Sequence, residues 1–124
     1  MDPEEEDWHE IRILDNRIQR GEALVLAPEV RELLLRTGPT VAISDADAAL
    51  SSIETATALL HTIRRRITDG SNRLSDALHR MYRLRDAGRL DEARQEMRDV
   101  LSVEVVPLYR EIAEDALANL SDRD

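Results

Sequence analysis

The chain has 124 residues, 42% of them hydrophobic, no cysteine and a formal net charge of −9. That length supports one domain with a real core. The missing cysteine excludes disulfides and thiolate metal sites, and the acidity argues against binding of a polyanion over the whole surface. Only Trp8, Tyr82 and Tyr109 are aromatic, so the core must be built from Leu, Ile, Val and Ala. Such side chains suit close helix packing, and no segment alternates like a strand. The N-terminus, with Asp2, Glu4, Glu5, Glu6 and Asp7, is the opposite of a basic signal-peptide start. No apolar run approaches the roughly 20 residues of a membrane span. A cytoplasmic protein without membrane contact is expected.

Asp2-Pro3 followed by three glutamates predicts a helix start: a capping acid, proline at the first helical position, and acids at the positive end of the dipole. Trp8, Ile11, Leu14 and Ile18 supply its inner face, and Gly21 ends it. Pro28 opens a short second helix with Val30, Leu33 and Leu34 inward. Thr37-Gly38-Pro39 is expected to stop it, glycine taking a left-handed cap. Ser44 and Asp47 suggest a further short helix to about Leu50. Ser51-x-x-Glu54 reads as a capping box opening a long helix over about 52–87, roughly 50 Å at 1.5 Å per residue.

In that helix Leu60, Ile63, Ile67, Gly70, Leu74, Ala77, Met81 and Leu84 alternate spacings of three and four. This keeps one narrow stripe on one side. The phase survives Gly70, which a turn would destroy, so the helix is expected to continue there with glycine admitting a close neighbour. Asp86-Ala87-Gly88 ends the run. A last helix over about 90–120 should place Leu90, Ala93, Met97, Val100, Leu101, Leu108, Ile112, Ala116 and Leu120 inward, with a kink near Val103 to Pro107. The expected fold is all-α: short N-terminal helices (1–50) packed on a long antiparallel helical hairpin (51–120), bundle-like, in one domain.

Charge is unevenly spread: the net is −6 over 1–30, −2 over 31–60, +5 over 61–90 and −6 over 91–124. Arg66, Arg73 and Arg80 recur every seven residues along one flank of the stripe. Glu92, Glu96 and Asp99 line a similar flank of the last helix, so the arms can pair across the hairpin. The alternative is an arginine ridge for an acidic partner. Glu6-x-x-His9 and Asp76-x-x-His79 have acid-x-x-His spacing, but the first lies at a fraying end and the second off the seam, facing solvent. His61 flanks the seam as a partly buried histidine. His9-Glu10 opens like an HExxH zinc motif, yet its second histidine position is Ile13. No nucleophile motif or glycine-rich phosphate loop is present. No enzyme activity, metal or cofactor is expected.

Several segments together resemble the DUSAM domain family. They are Ala58-Leu59-Leu60, Ile63-Arg64-Arg65, Arg73 to Leu78, Arg80-Met81-Tyr82, Leu84 to Gly88, Met97 to Leu101, and Val103 to Arg110 with its proline and tyrosine. Leu33 to Thr37 fits as well, and the pattern spans about Trp8 to Ala118. The resemblance implies a small family best known from myxobacteria and multiplied there into paralogues, with no activity or site residues to carry over.

The expected function is a non-catalytic, regulatory protein–protein interaction module, with Arg66, Arg73, Arg80, Tyr82 and Tyr109 as the partner surface and a homodimer as one possible assembly. An acidic inhibitor or immunity protein for a basic toxin or protease is the first alternative. A small-molecule sensor with a ligand between helices is the second.

Overall fold

The computed structural model describes residues 3–121. The helices are α1 (Pro3–Gln19), α2 (Pro28–Thr40), α3 (Ala46–Ala49), α4 (Ile53–Asp86), α5 (Leu90–Val103) and α6 (Pro107–Ser121), with no strand among the described residues. The fold is all-α, as composition and periodicity imply. The chain divides into two compact units, Met1–Ile67 and Thr68–Asp124, and the boundary falls inside α4.

In the first unit, α1 begins at Pro3 and is acidic in its first turn; the capping role of Asp2 lies outside the described residues. Trp8, Ile11 and Asp15 are the buried positions of α1, while Leu14 and Ile18 sit at its half-buried margin. The inner line therefore runs 8–11–15 rather than 8–11–14–18, and it puts a carboxylate in a core position. Trp8 Nε1 donates to Thr40 Oγ1 at 2.9 Å, and Arg36 forks onto Asp7 at 3.1 and 3.2 Å, joining α1 to α2. The Asp7 hydrogen bond raises the Arg36 pKa and outweighs the opposing desolvation, with the nearby carboxylate charges adding to it.

The Gly38-Pro39 stop is not where α2 ends. The helix runs through both residues to Thr40, and the left-handed residue is Ala42, at φ +67°. Ala42 N–H donates to Pro39 O and Ile43 N–H to Gly38 O, which is a Schellman closure with alanine at the left-handed position. Pro39 is tolerated inside the last turn because it costs that turn a single hydrogen bond. Gly38 serves packing instead: a Cβ there would lie 2.8 Å from Ala46 Cβ of α3. The cap of α4 also shifts. Ser52, not Ser51, accepts the Thr55 N–H on its Oγ at 3.1 Å, and Thr55 takes the place expected of Glu54. Ser44-Asp47 forms no box either, since α3 follows Asp45 without a side-chain cap.

The heptad stripe is realised closely. Leu60, Ile63, Ile67, Gly70, Leu74, Ala77 and Met81 are buried, and Leu84 is half-buried. In the second unit, the α4 segment from Thr68 turns at Ala87-Gly88 into α5. Gly88, at φ +77°, closes α4 with the same Schellman bonds, Arg89 N–H to Leu84 O and Gly88 N–H to Arg85 O. A Cβ at Gly70 would lie 2.6 Å from Tyr109 Cδ2 and 2.9 Å from Glu104 Oε1. The close neighbour expected at this glycine is thus the Tyr109 ring.

The disruption expected at Val103 to Pro107 goes further than a kink. Helix stops at Val103 and restarts at Pro107. Proline has no N–H to continue the ladder, and it forces the preceding residue out of the helical region. Pro107 is therefore the opening residue of a new helix. The interruption also moves the register: Val106, Tyr109, Ala113 and Leu120 are the buried positions, while Ile112 is exposed and Leu108 half-buried. α5 and α6 pack side by side. Arg94, early in α5, donates to Leu120 O at the end of α6, so the two run antiparallel.

Candidate functional site

The five arginine and tyrosine positions expected to form one partner surface have separate fates. Arg66 directs Nη1 at Val41 O (2.8 Å) and Ala42 O (3.2 Å), placing a cation at the carboxyl end of α2. Arg73 pairs at 2.7 Å with Glu104, whose side chain is 1% exposed. Tyr109 is 7% exposed and packs in the second unit's core, so it is not available to a partner. Tyr82 is 46% exposed, with the Arg85 guanidinium 4.9 Å from its ring centre. Arg80 pairs across the hairpin with Glu96 at 2.9 Å, the arm-to-arm pairing that the opposite charges of the two arms imply.

What the structure does bring together is a groove of about 540 Å³ at the tip of the α4–α5 hairpin. From α4 it takes Arg80, Arg83 and Leu84, with Ala87 just beyond the helix. Arg89 closes the tip, and α5 supplies Glu92, Gln95, Glu96 and Asp99. Helical spacing makes this arrangement. Residues 80, 83, 84 and 87 share one face of α4, and 92, 95, 96 and 99 share one face of α5. The turn fixed by Gly88 sets these faces beside each other. Charge is divided by flank: arginines on α4, carboxylates on α5. Arg89 bonds Glu92 at 2.6 Å, and Gln95 donates to Asp99 at 2.7 Å. Arg83 makes no ion pair among the described residues. Heptad spacing points to the acidic flank and Arg80. Arg83 and Arg89 carry a weaker signal, their place at either side of the Gly88 turn.

Two carboxylates outside the groove are buried. Asp15, 1% exposed, accepts from Gln19 Nε2 at 2.9 Å and bonds His61 Nδ1, with Arg64 Nη1 3.8 Å away. Its signal was an acid in phase with Trp8 and Ile11. Glu104, 3% exposed, accepts from Arg73 and from the Val105 and Val106 N–H groups at 3.1 and 3.0 Å. Arg110 in turn donates to Leu101 O and Glu104 O at 2.8 and 2.9 Å. These groups tie the α5–α6 break, and among the described residues no buried side-chain polar atom lacks a partner.

Asp76 and His79 are exposed. Among the described residues no group of three or more His, Asp or Glu could hold a metal ion, and no helix is long and apolar enough to cross a membrane. A second, smaller groove of about 230 Å³ lies between α1 and α2, with Ile13, Val30 and Leu33 among its apolar lining.

A family model described as Protein of unknown function (DUF2379) matches residues 6–120, and the chain belongs to that family. No curated protein and no solved structure matches it significantly.

Proposed function

We propose that this DUF2379 protein is a non-catalytic, regulatory protein-interaction module that works through the groove at the α4–α5 hairpin tip. The observation that carries the reading is the charge-divided lining of that groove, with Arg83 in no ion pair among the described residues. A cation held on a helix face beside a small apolar floor, Leu84 and Ala87, is a ready docking point for a partner's carboxylate. The floor gives contact area and the flanks give orientation. The DUSAM resemblance covers this same hairpin, and a cytoplasmic DUSAM-type domain is the finer form of the proposal.

The test is capture from the native cell with the tagged chain, the variants Arg83→Glu and Glu92→Arg, and a control on the first unit, Arg20→Glu. All three positions are exposed, so folding is expected to survive and is checked by circular dichroism. Partners lost with the groove variants and kept with the control support the reading. Partners kept by all three defeat it.

A further inference from the structure

We infer that the occupant of the hairpin-tip groove is the same groove of a second copy, in a homodimer whose two hairpin tips lie at one end. The inference rests on the reading of this groove as the interaction surface, and it names the partner. The lining carries three arginines and three carboxylates in a chain of net charge −9. Two copies repel at long range, and a charge-balanced groove is where they can meet without a like-charge penalty. A uniformly acidic or uniformly basic partner would face like charge on one flank. A second copy can avoid it on both.

The division by flank also selects the symmetry. A two-fold axis along the groove lays the α4 flank of one copy over the α5 flank of the other, arginines over carboxylates. An axis across the groove would lay arginine over arginine. The Arg80–Glu96 pair marks one level of the hairpin. Arg83 lies three residues toward the tip from Arg80, and Glu92 four residues toward it from Glu96, so these two stand at similar heights on opposite flanks. Rotation about the groove therefore sets Arg83 against the second copy's Glu92, twice. Arg83 brings a guanidinium that makes no ion pair among the described residues. Glu92 brings a carboxylate that is 53% exposed, bonds Arg89 and has lone pairs to spare. An interface confined to one polar groove is small, so the dimer is expected to be weak.

The experiment is sedimentation of the full chain across the micromolar range. The wild type is expected to dimerise with rising concentration. Arg83→Glu and Glu92→Arg should each weaken self-association by about tenfold or more, because each replaces two attractive pairs with two repulsive ones. An equimolar mixture of the two variants should recover dimer, since every cross-pair is again opposite in sign, and the double variant should recover it alone. A chain that stays monomeric throughout overturns the inference, as do single variants that associate like the wild type or a mixture that fails to recover. The groove reading itself fails separately, when the capture experiment loses no partner with either variant.

Discussion

The two units each bury one carboxylate among their described residues, Asp15 in the first and Glu104 in the second, and they hold it by different means. Asp15 is met by side chains alone: His61, Gln19 and the more distant Arg64. His61 is 39% exposed and Arg64 26%, so these partners can turn to water. Glu104 is met by Arg73 and by two backbone N–H groups at the α5–α6 break, and Val106 is fully buried. A backbone amide fixed before a proline-led helix cannot turn away. The same kind of residue is thus an accessory of packing in one unit and a structural pin in the other.

The sharpest way to break that contrast is to remove both acids. Glu104→Ala should cost about 2–3 kcal/mol, chiefly from the stranded amides, since the half-exposed Arg73 can rehydrate. Amide exchange across Val105, Val106 and the first turn of α6 should accelerate together. An unchanged exchange pattern there would show that the carboxylate is not the pin.

Gly70→Ala probes the same corner from α4. Alanine gains about 1 kcal/mol of helix propensity, and overpacking against the Tyr109 ring and Glu104 costs about 1–3 kcal/mol. A net loss of up to about 2 kcal/mol is expected in chemical denaturation. A stabilised variant would mean that the ring yields easily and that glycine is not required by the close approach. Gly38→Ala is the companion in the first unit. There the obstacle is Ala46 in a four-residue helix, which can shift at smaller cost.

These two glycines also show where the sequence was legible. The α4 stripe could be read because its neighbours in sequence enforce one phase through Gly70, and phase is a local property. Gly38 was misread because glycine followed by proline has the local signature of a helix end. Its reason for being glycine is Ala46, eight residues on and visible only after folding. Pro107 is legible as a disruption, but not as a new start, because the acid that ties the break, Glu104 on the Val105 and Val106 N–H groups, reads as an ordinary surface residue. The candidate groove was half legible. Its acidic flank and Arg80 followed from heptad spacing, whereas Arg83 belongs to it only through the geometry of the turn. Tyr109 was misplaced for the opposite reason: the break at 104–106 moved the α6 register and turned the ring inward.

Asp15→Ala should cost less than Glu104→Ala, about 1 kcal/mol, because His61, Gln19 and Arg64 regain water. Trp8, the chain's single tryptophan and 3% exposed, reports this unit by fluorescence during urea unfolding. A loss as large as that from Glu104→Ala would erase the distinction between the two sites.

The smallest expected effect is a gain. Three helices end in the same Schellman arrangement, at Gly21 (φ +105°), Gly88 (φ +77°) and Ala42 (φ +67°). The first two carry the residue that the left-handed region favours, and the third carries a Cβ that crowds its own backbone there. Ala42→Gly should therefore stabilise the first unit by about 0.5–1 kcal/mol, and Gly88→Ala should destabilise the second by a similar amount. Ala42 is exposed, so its methyl loses little packing, and the Arg66 bonds to the Val41 and Ala42 carbonyls do not involve it. Thermal unfolding of the two variants checks both signs. If Ala42→Gly is neutral, the flexibility that glycine adds to the unfolded chain offsets the relieved strain, and the α2 end is held by Arg66 rather than by the conformation of its last residue.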